Sequence, residues 1–389
     1  MGRPTLKHLL HPLRTARVAK MRLLAHINMR RFAAQSRQHF RNDLRYDLNN
    51  VTEGFKPRLE CSSDDSDLLE RICKAYVRTT SRPGPMRACF EPTKWWKELG
   101  ETLGPVRRAL LEGDIDSLGA MYSNFFRDHC SAGLVGVPYG MARAYFQRPI
   151  PDVYRHSYLG DALYRIDYWL SQADGRYGLP DLKGPAAGNP FGVFINGTLV
   201  RSGSEYQHYC AHKILDRLDA GGSVVAEIGG GYGGAAYYML RDGAPRTYIN
   251  FDVPESLALA SYYLLKAFPS LRFLLYGERD LTPEALAAAD VVLLPLFEMD
   301  RIPAGSISLT FSSHVMGDLS ESGMAEYLGV IARMTQSYFL YFGDSPAGER
   351  LSKLGGEHFR LLEARSSGWN RHRAPNATEG EYLFQLDHN

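Results

Sequence analysis

The 389-residue sequence predicts an α/β protein: a C-terminal, doubly wound, seven-stranded sheet, preceded by a mostly α-helical half. Three observations predict it. Residues 224–234 read Val-Val-Ala-Glu-Ile-Gly-Gly-Gly-Tyr-Gly-Gly, a buried strand, a glycine turn and the start of a helix. Glycine permits the sharp turn and the close approach of a ligand to the backbone. From there to the C-terminus short apolar runs alternate with helical stretches, the pattern of a mostly parallel sheet. From about residue 60 to 172 the apolar spacing is helical instead.

Three regions follow: a basic arm (1–59), a helical substrate or cap region (60–204) and a cofactor-binding region (205–389). The composition, 44% hydrophobic and 23% charged with a net charge of +2, is that of a soluble globular protein and carries no global nucleic-acid footprint. Five cysteines (Cys61, Cys73, Cys89, Cys130, Cys210) form no C-x-x-C pair and read as reduced thiols in a cytoplasm. The sequons at Asn50, Asn196 and Asn376 therefore carry no weight. Residues 1–45 hold Arg14, Arg17, Lys20, Arg22, Arg30, Arg31, Arg37, Arg41 and Arg45 against a single acid, Asp43. Such an arm suits a helix packed on its own domain or on a partner subunit, as in a homo-oligomer. An anionic membrane surface is the alternative, and a transit-peptide-like leader shares the composition. No apolar run is long enough to span a bilayer. Met1-Gly2 lacks the Ser or Thr at position 6 that myristoylation wants, since Leu6 stands there.

Ser66 or Asp67 can cap a helix with the apolar face Leu68, Leu69, Ile72 and Tyr76. Ile115, Leu118, Tyr122, Phe125 and Phe126 repeat that spacing, and a third helix carries Leu159, Leu163, Ile166 and Leu170. Trp95, Trp96, Tyr164, Tyr168 and Trp169 are expected mainly as core, with an aromatic wall against a ligand as their other use. Residues 174–204, rich in Gly and Pro, form loops with a hairpin at Asn196-Gly197. A helix from Glu205 to Leu218 leads into the glycine-turn strand. His208 and His212 share one of its faces, but no third ligand is legible, so no metal site is expected. Further strands are expected at 247–251, 271–275, 291–294, 306–311, 337–342 and 381–385, with a longer excursion over 344–380.

Gly229, Gly231 and Gly234 satisfy the dinucleotide fingerprint G-x-G-x-x-G. Glu227, Gly229, Gly231 and Gly233 also satisfy E-x-G-x-G-x-G, the first motif of S-adenosylmethionine (SAM)-dependent methyltransferases. A carboxylate just ahead of the glycines suits the cationic methionine end of SAM and repels a pyrophosphate, so SAM is favoured over NAD. Asp252 ends the second strand about 20 residues after the turn, where a ribose-binding acid belongs in either class.

The C-terminal half resembles a class I SAM-dependent methyltransferase with its seven-stranded sheet, and within that class it resembles the sugar O-methyltransferase family of polysaccharide and glycosylated natural-product pathways. The matching pieces are Gly188-Asn189-Pro190 with Tyr206, His208 and Tyr209; Glu227 to Gly233; Asp252-Val-Pro-Glu-Ser-Leu with Tyr262-Tyr263 and Ala267-Phe268-Pro269; and Met316-Gly317-Asp318-Leu319-Ser320. They lie mainly within residues 185–345. Two departures are Asp318-Leu319 in place of Glu-Met, and Ser-Ser-His-Val at 312–315 in place of an Asn- and Ser-rich turn. The resemblance implies SAM on Glu227, Gly229, Gly230, Gly231, Gly233 and Asp252, with Glu278 or Asp280 at the adenine. It implies a sugar or glycan acceptor near Tyr206, His208, Tyr209, Phe297 and Glu298. His314 is the candidate base, with Asp318 orienting it or serving as base itself, because a sugar hydroxyl must lose its proton as it is methylated. Two other readings stand beside this one: an NAD-dependent oxidoreductase or epimerase, and an inactive SAM-fold scaffold.

Overall fold

The computed structural model describes residues 12–59, 65–81, 86–135, 150–219, 222–243, 245–376 and 378–387. Gly2, Leu6 and Cys61 lie outside the described residues. The helices are α1 (Pro12–His39), α2 (Leu48–Gly54), α3 (Ser66–Thr80), α4 (Lys94–Glu98), α5 (Gly104–Glu112), α6 (Ile115–Tyr122), α7 (Asp152–Ala173), α8 (Ser204–Leu215), α9 (Gly234–Asp242), α10 (Pro254–Ala267), α11 (Pro283–Ala287), α12 (Glu321–Met334) and α13 (Ser345–Leu354). The strands are β1 (Gly192–Ile195), β2 (Thr198–Arg201), β3 (Val224–Ile228), β4 (Thr247–Asp252), β5 (Phe273–Leu275), β6 (Val291–Pro295), β7 (Ile307–Ser313), β8 (Thr335–Asp344), β9 (Phe359–Ser367) and β10 (Glu379–Leu386).

Strands β3 to β10 form one sheet in the order β5-β6-β4-β3-β7-β8-β10-β9, parallel except for β10, which runs antiparallel to β8 and β9. Every residue of β3, β4 and β6 is buried, as expected of parallel strands with helices on both faces. The α/β class is the expected one; the strand count is eight rather than seven. The additional strand is β9, formed inside the 344–380 excursion, with residues 360–366 all exposed. A strand wet on both faces has no apolar alternation by which to recognise it. The pairing order affects the site directly: β6 lies between β4 and β5, so β5 stands at the sheet edge. The hairpin β1-β2 turns at Asn196-Gly197, with φ of 49° and 79°, the left-handed pair that a two-residue turn of this kind needs.

The helical region and the sheet share one continuous core, which includes Leu69, Leu118 and Leu163 together with Val225, Leu309 and Leu383. Glu255, near the start of α10, fastens the two: it accepts from Arg107 Nε (2.6 Å), Tyr76 Oη (3.3 Å) and Trp96 Nε1 (3.3 Å). The C-terminal part of α1 packs on α7 through Phe32, Ala33 and Ser36, all buried. Arg45 then pairs with Asp43 and Asp167.

Candidate functional site

A cleft of about 480 Å³ opens where β3, β4 and β7 end, the end at which such sheets bind ligands. The glycine turn is its floor. Gly231 has φ of +57°, and a Cβ there would point into open cleft, its nearest neighbour being Leu134 Cδ2 at 3.8 Å. Asp252 holds the turn by accepting from Gly231 N (2.8 Å) and Val253 N (2.7 Å). Glu227 accepts from Tyr248 Oη at 2.5 Å. Both acids are buried, and among the described residues neither pairs with a Lys or Arg. Burial pushes each up to about 7, and the proximity of Asp252 adds to the rise at Glu227. The floor therefore presents two acids that lack a cation, beside a glycine that leaves room for a ligand.

One wall comes from the first turn of α8. Tyr206 Oη sits 2.7 Å from Ser313 Oγ and 3.3 Å from His314 Nε2. Gln207 Oε1 accepts from Tyr232 Oη (2.9 Å) and Arg201 Nη2 (2.7 Å). The buried Arg201 guanidinium lies over Phe126 and Tyr232, 4.9 and 5.3 Å from their ring centres. His314 follows β7 with φ of +63°, pinned there by its N–H to Phe342 O at 2.7 Å. Strained backbone of this kind on a non-glycine residue clusters at functional sites. The residue is exposed at the cleft, and partial loss of water around its ring there lowers its pKa below the ordinary histidine value. His314 is therefore neutral at neutral pH. Asp318 also lines the cleft, but among the described residues its carboxylate makes no hydrogen bond to His314. Tyr206 holds that place. The roof comes from the helical region: Cys89, Trp95, Trp96 and Leu134, with Trp95 47% exposed at the mouth.

Several expected site residues lie elsewhere. Because β6 separates β5 from β4, Glu278 faces a different cavity, where Arg71 Nε (2.5 Å) and Leu275 N (2.9 Å) bind it. Asp280 is exposed beyond it. Leu296, which follows β6, lines the cleft in their stead. Phe297 packs edge-on to Tyr276, and buried Glu298 pairs with Arg301 at 3.0 Å. Gly233 caps α9 from behind the turn, against Leu264. Tyr209 donates to Glu381 at 2.8 Å on the far side of α8. His208 is buried among Trp169, Tyr177 and His212, which pushes its pKa down to about 3.

A third ligand-type group, Asp242, does meet this histidine pair, its Oδ2 lying 3.0 Å from His212 Nε2 and 3.9 Å from His208 Nε2. The indole N–H of Trp169 points at His208 Nδ1 (3.3 Å) and so leaves the proton on Nε2, the atom a metal would need free. Arg241 also occupies Asp242, at 2.5 and 2.7 Å. The cluster fits a hydrogen-bonded clamp between α8 and α9 better than a metal site.

Gln207, Tyr232 and Ser313 were not among the expected site residues. Gln207 and Tyr232 each adjoin a motif residue, which is the only signal the sequence offers for them.

No protein-family model and no curated protein matches the chain. Among solved structures it is similar to the pyocyanin biosynthetic protein PhzM (15% identity, 49% of this chain and 57% of that one, TM-score 0.33). It is similar also to a TehB-like SAM-dependent methyltransferase from Corynebacterium glutamicum (16% identity, 46% and 88%, TM-score 0.33). A third is the magnesium protoporphyrin IX methyltransferase of Synechocystis, solved with bound SAM (12% identity, 58% and 97%, TM-score 0.35). The likeness spans little over half of the first of these chains. It is remote throughout, and what the cleft can bind is decided by its own residues.

Proposed function

We propose that the chain is a SAM-dependent O-methyltransferase whose acceptor is a sugar hydroxyl. The observation that carries this is the floor of the cleft. Two buried acids, Glu227 and Asp252, stand around a glycine turn with no cation beside them among the described residues. A dinucleotide would bring a doubly charged pyrophosphate against Glu227, just ahead of the glycines, and Coulomb repulsion in a poorly solvated site is strong, whereas Asp252 suits the ribose of either cofactor. SAM brings a cationic methionine end for Glu227 and ribose hydroxyls that donate to Asp252. When bound, it supplies a methyl group activated by its sulfonium.

The chain's own residues do the rest. With its Nε2–H donating to the Tyr206 oxygen, the His314 ring is held in place and Nδ1 keeps the lone pair that serves as base. His314 takes the acceptor's proton as the O–CH3 bond forms and the S–CH3 bond breaks, so the products are the methyl ether and S-adenosylhomocysteine. The exposed indole of Trp95 offers the C–H face of a sugar a surface to lie on, which supports that acceptor class together with the sequence resemblance.

Calorimetry with SAM and with NAD tests the cofactor. SAM should bind with micromolar affinity, about −8 kcal/mol. Gly231→Val should abolish binding, because its branched side chain would fill the floor. Binding of NAD with no response to SAM would sink the proposal. Methyl transfer to a sugar acceptor would exclude the inactive-scaffold reading.

A further inference from the structure

Ten of the chain's 45 Lys and Arg residues, and none of its 43 Asp and Glu, fall within residues 1–42. That segment carries +10, and because the whole chain carries +2, the remainder carries −8. A nearly neutral protein is thus strongly polarised along its sequence.

Helix α1 shows how this charge is presented. Its inner face, Phe32, Ala33 and Ser36, is buried against α7, and Phe32 also lies under the Arg373 guanidinium. The opposite face carries residues 20, 23, 24, 27, 30 and 31, the spacing that aligns side chains along one side of a helix. All six are exposed. Leu23 (61%), Leu24 (48%) and Ile27 (38%) form an aliphatic patch, with Lys20 on one side of it and Arg30 and Arg31 on the other.

We propose that this face of α1 docks the protein on an anionic lipid surface. Aliphatic side chains between cations match the boundary between headgroups and acyl chains, and the cations add attraction to anionic lipid. The same face of a second copy is a poor occupant, since that pairing would bring two +10 segments together. The charge of the remainder sharpens the geometry: the same surface that draws α1 repels the body, so the protein sits arm-first. No helix among the described residues is long and apolar enough to cross a membrane, so the attachment is peripheral and reversible. The proposal is independent of the cleft.

The test is co-sedimentation of the full chain with vesicles of phosphatidylcholine alone and of phosphatidylcholine with phosphatidylglycerol. Binding is expected only to the anionic vesicles, and it should weaken between 0.05 and 0.5 M salt, where screening shortens to a few ångströms. The triple variant Lys20→Gln/Arg30→Gln/Arg31→Gln should bind about 100-fold more weakly, from a few-fold per lost charge. Leu23→Ser/Leu24→Ser/Ile27→Ser should lose at least about tenfold. Both variants should keep native SAM binding and helix content, which separates failure here from failure of the cofactor reading. No sedimentation with anionic vesicles at low salt, or equal binding to neutral ones, overturns the proposal. Loss in the charge variant with none in the aliphatic one also overturns it, assigning the face to an acidic protein.

Discussion

His314 and Tyr206 lie 108 positions apart and meet at 3.3 Å, so no local motif could have paired them. Glu227, Gly231 and Asp252 were legible because a strand, a turn and the next strand's end are written within about 25 residues of one another. Asp318 was assigned its role by the resemblance and by its place after the strand that ends at His314, and the structure gives the hydrogen bond to Tyr206 instead. His314→Ala should lower kcat by roughly 10² to 10⁴ while leaving SAM affinity within about twofold. Tyr206→Phe should cost less, about tenfold, because it removes a positioning bond and no proton acceptor. Since partial desolvation in the cleft holds His314 below the usual histidine value, native kcat should rise with pH and reach its plateau by about pH 7. Single-turnover rates across pH check all three expectations, and native turnover by His314→Ala would remove the histidine from the mechanism.

Among the elements, the buried parallel strands were readable as apolar runs, whereas the order in which they pair was not. Nothing in Val291–Pro295 says that it pairs with β4 and leaves Phe273–Leu275 at the sheet edge. That single crossover accounts for the misplacement of Glu278 and Asp280, since a shift by one strand moves a residue about 5 Å across the sheet. The docking of α1 was likewise half legible: its basic character is compositional, but its packing depends on a small residue in α7. A Cβ at Gly160 would collide with the side chain of Ser36. Gly160→Leu should therefore destabilise the protein by about 1 to 3 kcal/mol through overpacking. Urea unfolding would check this, and Ser36→Gly should recover part of the loss by vacating the space.

At the scale of the whole molecule, the cleft makes stability depend on pH. Glu227 and Asp252 are raised to about 7 in the folded state from near 4 unfolded, so the folded protein holds protons that the unfolded chain has released. Their contribution is fully present below about pH 4 and is lost as pH rises through 7. Without ligand, the native protein should lose stability relative to Glu227→Gln between about pH 4.5 and 7. Parallel denaturation profiles for the two proteins would contradict this. SAM should release protons on binding below pH 7, because its cation favours the ionised Glu227; calorimetry in buffers of different ionisation enthalpy would detect them.

The provenance of the cleft's walls has a further consequence. The roof comes from residues near 90 and 134, one wall from 206 and 207, the floor from 227 to 252 and the rim from 313 to 319. A ligand lodged there is a removable clasp across segments up to 230 positions apart. Its binding energy is shared by the whole fold rather than by one loop. In a cell, the loaded protein would open to proteases less often than the empty one, and its lifetime would follow the supply of cofactor.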